Sequence, residues 1–221
     1  DAGLGQPYLL YQTLAISARH LAVVNPSLSP IYLCEATGLQ RSSIKKFNSL
    51  GSHIDGSNCV SALLFSSILA RHMLADTLAS VNHSEEFSLF LNQYVKYIHV
   101  QRGVRAIASL AWPFLVQSDL RPLLFWGSGL SKISPRGGEL RDLSASISKQ
   151  SSMDKDAMEA CMASISYLQV GLDYLLVPES RTRGLHMVFN WAVLLPTKFI
   201  ELLIQHEPEP LVILGHYAVL L

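Results

Sequence analysis

Charge is what this sequence has least of. Only 15% of its 221 residues are Asp, Glu, Lys or Arg, against roughly 25% in an ordinary globular chain. Its 17 basic and 17 acidic side chains cancel to a net charge of zero. They are also scattered, so the chain lacks the basic patch or stripe with which a protein grips a phosphate backbone. The nearest approach to one, Arg41, Lys45 and Lys46, has spacings that fit the solvated face of a helix. Cysteine is scarce too. Cys34, Cys59 and Cys161 lie far apart, with no Cys-x-x-Cys and an odd total, which argues against a disulfide framework or a zinc site and for a reducing setting. No basic-then-apolar leader is visible at Asp1, so no secretory signal is expected. Apolar runs are all interrupted before the roughly 20 residues a membrane-spanning helix needs. Ser61 to Ala79 carries Arg71, His72 and Asp76, and Leu211 to Leu221 contains Gly215 and His216. No membrane span is expected.

Catalytic signatures are missing as well. Gly127-Ser128-Gly129 has the wrong spacing for a nucleophile elbow. His206-Glu207 runs straight into Pro208, and Gly3 and Gly5 precede a helix with Pro7 between them, so neither a metalloprotease helix nor a phosphate-binding glycine loop is present. The eight histidines are dispersed. No metal ligand and no catalytic residue is expected from them. His20 beside Arg19 and His72 beside Arg71 stand out, because each pair falls on a strongly apolar helix where a polar group must be paired or face a cavity.

What the sequence does have is apolar content, 49% of residues, arranged with the helical period. Tyr8 to Val24 places Leu10, Leu14, Ala18 and Leu21 on one apolar face, and Asn25-Pro26 stops it. Ser29-Pro30 reads as an N-cap followed by proline at the first helical position, opening a second helix to about Phe47. Gly51 to Asn58 is a turn. Val60 to Leu78 is apolar around much of its circumference and is expected to be central. Ser84-Glu85-Glu86 starts a fourth helix with the face Leu91, Tyr94, Val95 and Ile98; Gly103 marks a break or close contact in it. Trp112-Pro113 ends the next piece, and Asp119 to Trp126 makes a short helix. Gly127 to Ser152, rich in Ser, Gly and charge, is expected to be a long flexible loop. Helices resume over Asp154 to Leu175, Gly184 to Leu195, Thr197 to Gln205 and Glu209 to Leu221. With no two-residue alternation, the chain is expected to be all-α, a single-domain multi-helix bundle over residues 1–221.

Four stretches carry a family likeness: PYLLYQTLAISARHLA (Pro7 to Ala22), FLNQYVKYIHVQRGVRAI (Phe90 to Ile107), the segment around Trp112-Pro113, and FIELLIQHEPEPLVILGHYAVLL (Phe199 to Leu221). In these, and in their order along the chain, it resembles the regulatory domain of fungal zinc binuclear cluster transcription factors, in particular those similar to the sterol uptake control proteins. The resemblance implies an α-helical domain that binds ergosterol or a related sterol in an apolar pocket and associates as a homodimer. It also implies residence in cytoplasm and nucleus and control of sterol genes. DNA would be bound only through a separate zinc domain with six cysteines, which these residues do not contain. No cofactor is implied beyond the sterol as regulatory ligand.

Read from amphipathicity alone, the pocket lining would be Leu64, Ile68, Leu69, Met73, Trp112, Phe125 and Trp126, with His72 or Arg71 as the polar anchor for a sterol hydroxyl. Two other classes stay open. Such a scaffold could serve as a cofactor-independent cyclase or isomerase, in which orientation of the ligand supplies much of the rate. A dimerisation or coactivator module with no ligand is the other.

Overall fold

The computed structural model describes residues 5–51, 54–80, 87–122, 124, 133–150 and 153–221. Among these it is all-α, as the periodicity requires, and it packs as two compact units, Asp1–Leu124 and Phe125–Leu221. The first unit contains α1 (Pro7–Val24), α2 (Ser29–Asn48), α3 (Cys59–Ser80), α4 (Phe87–Leu110) and the single-turn α5 (Trp112–Leu115). The second contains α6 (Arg141–Gln150), α7 (Lys155–Leu175), α8 (Arg181–Leu194), α9 (Thr197–Ile204) and α10 (Pro208–Ala218).

In the first unit α3 is the hub, packed against α1, α4 and α5. Its length and apolarity would suffice to cross a membrane, yet half of that apolar stretch is buried inside the protein. An aromatic triangle joins three helices: the rings of Phe47 and Phe65 stack at 4.3 Å, and Tyr8 meets both edge-on at 5.4 and 5.5 Å. The Tyr8 hydroxyl lies 2.7 Å from Ser61 Oγ. Burial raises the Tyr8 pKa, partly countered by that bond.

Several sequence expectations need correcting here. The face of α1 that the unit buries is not the leucine face. Tyr8, Gln12, Ala15, Arg19 and Ala22 go inward with Leu9 and Ala18, and Leu10, Leu14 and Leu21 remain exposed. Small side chains at Ala15 and Ala22 let α1 lie close to its neighbours; Tyr8 and Gln12 find buried partners, and Arg19 pairs with the exposed Asp76. Ser29 does not cap α2 from outside; it is already helical and makes no side-chain cap bond. The α4 helix runs through Gly103 without a break, and a methyl there would meet nothing within 4 Å. Trp112-Pro113 opens α5 instead of ending a helix, since proline is tolerated in a first turn, where its missing N–H would have no helical partner. Its fourth-helix cap, Ser84-Glu85-Glu86, lies outside the described residues. The basic trio Arg41, Lys45 and Lys46 is exposed as expected.

The second unit is organised on α7, which touches α6, α8, α9 and α10. Asp154 caps α7 by accepting from Ala157 N at 2.7 Å. Where α8 crosses the end of α7, Gly184 is indispensable: a methyl would lie 2.6 Å from the backbone nitrogen of Leu175. The indole of Trp191 is fully buried, stacked on Tyr217 at 4.3 Å, edge-on to Phe199 at 5.9 Å, and donating to Ser164 O at 2.9 Å. One side chain thus ties α7, α8, α9 and α10 together. The expectation of an unbroken loop from Gly127 to Ser152 fails in its second half, where α6 forms. Leu140, Leu143 and Ile147 recur with helical spacing and are buried.

Candidate functional site

In the first unit, polar residues of α1, α2 and α3 form a continuous line from buried Ser43, Gln12 and His72 to the exposed Asp76. Ser43 Oγ donates to Gln12 Oε1 at 2.8 Å, and Gln12 Nε2 lies 3.3 Å from His72 Nδ1. His72 Nε2 faces Asp76 Oδ2 at 3.6 Å, one turn further along α3. Arg19 Nε donates to Asp76 Oδ1 at 2.7 Å, and Arg19 Nη2 to Ala75 O at 3.2 Å. With its oxygen taken by Ser43, Gln12 presents its amide nitrogen to the ring, so Nδ1 accepts and the ring proton resides on Nε2. Burial pushes the His72 pKa down; Asp76 opposes that and Arg19 reinforces it. The Ser43 hydroxyl is separated from His72 by the Gln12 side chain, so the imidazole does not adjoin it as a base. Cys161 is no nucleophile either: burial, with Glu209 nearby, raises its thiol to about 11, so at neutral pH it is protonated.

The residues expected to line a pocket are distributed over different faces and ends of α3. Leu64, Ile68 and Leu69 are half-buried against the cluster of Tyr8, Leu9 and Phe65. His72 is buried and engaged as above, whereas Arg71, one position earlier and about 100° around the helix, is exposed with its guanidinium on Ser67 O at 3.2 Å. Met73 is half-buried. Trp112 is half-buried beside Ala111, at the opposite end of α3, where Cys59 and Leu63 pack against Ala111 and Leu115. Phe125 and Trp126 lie outside the described residues.

A cleft of about 500 Å³ lies elsewhere, in the second unit. Its lining mixes apolar Ile133, Val170, Tyr174, Leu176 and Val177 with polar Ser134, Arg136, Glu139, Asp173 and Ser180. Two polar residues of α7 hold its shape. The Asp173 carboxylate accepts from Arg136 N at 2.6 Å, Gly137 N at 2.9 Å and Gln169 Nε2 at 2.9 Å. Gln169 Oε1 accepts from Leu140 N at 2.9 Å, and Gln169 Nε2 also donates to the Glu139 carboxylate. Gly137 sits so close that a methyl would lie 2.6 Å from Asp173 Oδ1. Asp173 is therefore committed to fixing the backbone, while the Glu139 carboxylate is bound to the Gln169 side chain. The cleft has the size of a small-molecule site and a mixed lining of the kind that orients an amphiphile.

Sequence reasoning missed this cleft. The clue was a pair of polar residues one turn apart, Gln169 and Asp173, on an otherwise apolar helix, matched by the Gly137-Gly138 pair that lets a strand of backbone approach them. Among the described residues no group of three His, Cys, Asp or Glu side chains could hold a metal ion. Comparison with protein-family models, with curated proteins and with solved structures found no match to this chain.

Proposed function

We propose that this chain is the ligand-sensing regulatory domain of a fungal zinc binuclear cluster transcription factor, with ergosterol or a related sterol as the ligand that controls sterol gene expression. The observation that carries the reading is the ordered resemblance of Pro7–Ala22, Phe90–Ile107, the Trp112-Pro113 segment and Phe199–Leu221 to that family's regulatory domain. Support comes from the all-α fold and from a cleft of about 500 Å³ with a partly apolar lining. A sterol would lay its hydrocarbon body on Tyr174, Leu176 and Val177 and turn its hydroxyl to a polar lining residue. Burying that body supplies about 25 cal/mol per Å², less the cost of ordering the ligand.

The test is native mass spectrometry of the protein purified from a fungal host, with extraction of any bound lipid, followed by addition of ergosterol. One sterol per chain supports the reading. A chain that is empty and takes up no added sterol overturns it. Leu176→Trp and Val177→Trp, which would fill the cleft, then locate the ligand against Ile68→Trp and Met73→Trp on α3: the pair that abolishes uptake marks the site.

A further inference from the structure

A serine stands directly before a proline at two places in the chain, Ser29-Pro30 and Ser134-Pro135, and the fold treats them in opposite ways. Ser29 is helical, with φ −51° and ψ −45°, and sits half-buried in the first turn of α2. Ser134 lies in the stretch 133–138, which no helix or turn includes, and Ser134, Pro135 and Arg136 are all exposed. A residue before proline favours extended backbone, the form in which a chain can lie along an enzyme's groove. Among the described residues, the Ser134 hydroxyl has no hydrogen-bond partner to give up.

We propose that Ser134 is a phosphorylation site for a proline-directed protein kinase, and that the phosphate acts on the neighbouring cleft. Proline after the acceptor carries no backbone N–H, so it suits a kinase whose groove offers that position no hydrogen-bond acceptor. In the transfer, Ser134 Oγ bonds to the γ-phosphorus of ATP as the bond from that phosphorus to the bridging oxygen breaks. ADP leaves, and the hydroxyl proton passes to the kinase's catalytic carboxylate. Ser134 lines the cleft together with Arg136, Glu139 and Asp173. The phosphate adds about −1.5 to −2 charges near pH 7 to a lining in which two carboxylates already face one guanidinium. The Asp173 carboxylate holds Arg136 N and Gly137 N at 2.6 and 2.9 Å, so the chain is anchored two residues beyond the acceptor and the phosphate stays beside the cleft. An apolar ligand covering such a dianion would strip its water, and the modified chain should therefore release it. The inference rests on the cleft as a binding site, as the sterol reading does, but not on which apolar ligand fills it.

The whole chain, incubated with ATP and a mitogen-activated protein kinase and then mapped by mass spectrometry, should carry phosphate at Ser134 and none at Ser29. Ser134→Ala and Pro135→Ala should each abolish it. No phosphate at Ser134, or Ser29 modified as readily in the folded chain, overturns the site. Nile red, a neutral apolar dye, reads the cleft through the part of its binding that Leu176→Trp removes. That part should be about tenfold weaker in the phosphorylated chain, and kinase-treated Ser134→Ala should bind as the unmodified chain does. Equal affinity of the two forms, or no such binding by either, overturns the action on the cleft. A chain that meets both expectations yet takes up no ergosterol keeps this site and loses only the sterol reading.

Discussion

The two units lock their helices together with different balances of material, the first adding a polar line to its aromatic triangle. In the first, a line of polar side chains from Ser43 through Gln12, His72 and Asp76 to Arg19 runs between α1, α2 and α3. In the second, the indole of Trp191 fills the junction of four helices and spends its one polar group on Ser164 O. A buried polar line contributes little net stability, because each bond replaces one made with water, but it is costly to leave half-satisfied. An aromatic hub contributes through area and close packing. The second unit is therefore expected to fail by losing volume, and the first by losing a partner.

The largest effect should come from Trp191→Ala, which removes the hub and leaves a cavity among α7, α8, α9 and α10. It should cost about 3–5 kcal/mol, read as a drop in the urea midpoint for the second unit. Trp191→Phe keeps a ring against Tyr217 and loses the bond to Ser164 O with only part of the packed volume, so it should cost well under half as much. Equal losses from the two would show that the N–H bond, not the packed volume, holds this unit, and the contrast between the units would collapse.

The polar line should behave differently. Gln12→Leu is close in size, yet it strips His72 Nδ1 of its partner, and an unsatisfied buried group costs about 1–3 kcal/mol. Replacing the neighbours as well, in the triple variant Gln12→Leu, His72→Leu, Ser43→Ala, should restore much of that loss, since an apolar substitute for a whole buried network is often nearly neutral. A triple variant less stable than Gln12→Leu alone would mean that the line contributes net stability, contrary to the comparison.

A pH series sharpens the same point. His72 has its pKa lowered by burial, and the charged groups acting on it are Asp76 on its own helix and Arg19 on α1. From α2 it is approached through Ser43 and Gln12, while Lys96, His99 and Arg105 of α4 are exposed. Because the folded ring is held neutral, the unfolded chain takes up its proton first as pH falls. Stability from this group is full above the unfolded value of about 6.5 and declines as pH drops toward the folded pKa. His72→Asn keeps an acceptor for Gln12 Nε2 and removes the titration. Urea unfolding at pH 7.5 and 5.5 should show a smaller acid loss in the variant than in the wild type; identical losses would mean that the ring titrates in the fold as it does in water.

Much of the fold was legible in the sequence, and the reasons for the exceptions are specific. The central place of α3 and the length of α7 follow from apolar spacing with a clear start and stop. The helix α6 was hidden because Leu140, Leu143 and Ile147 are diluted by serines and lysine, which read as loop by composition. The buried face of α1 was misjudged because leucine content points one way while the residues with partners, Tyr8, Gln12 and Arg19, point the other. The cleft was invisible because no period marks it: it is made where a stretch of irregular backbone is pinned to Gln169 and Asp173, over a separation of about thirty residues.

The smallest expected effect tests the break that the sequence shows most plainly, between α9 and α10. Gln205 ends α9, His206 takes a left-handed φ of 61°, and two bonds close the turn: Glu207 N to Leu202 O at 3.0 Å and His206 N to Leu203 O at 3.1 Å. That pairing is a Schellman closure, whose left-handed position is usually glycine. Pro208 then starts α10, where its missing N–H costs nothing. A side chain at the left-handed position costs about 1–2 kcal/mol, and His206→Gly would relieve it. Glycine also gains freedom in the unfolded chain, an opposing term of roughly 0.5–1 kcal/mol. The balance leaves His206→Gly more stable by about 0.5 kcal/mol, a small upward shift in the melting of the second unit. His206→Ala keeps the strained backbone and should gain nothing, so a glycine variant no more stable than the alanine one would show that the turn is not strained, and that this junction is set by Pro208 alone.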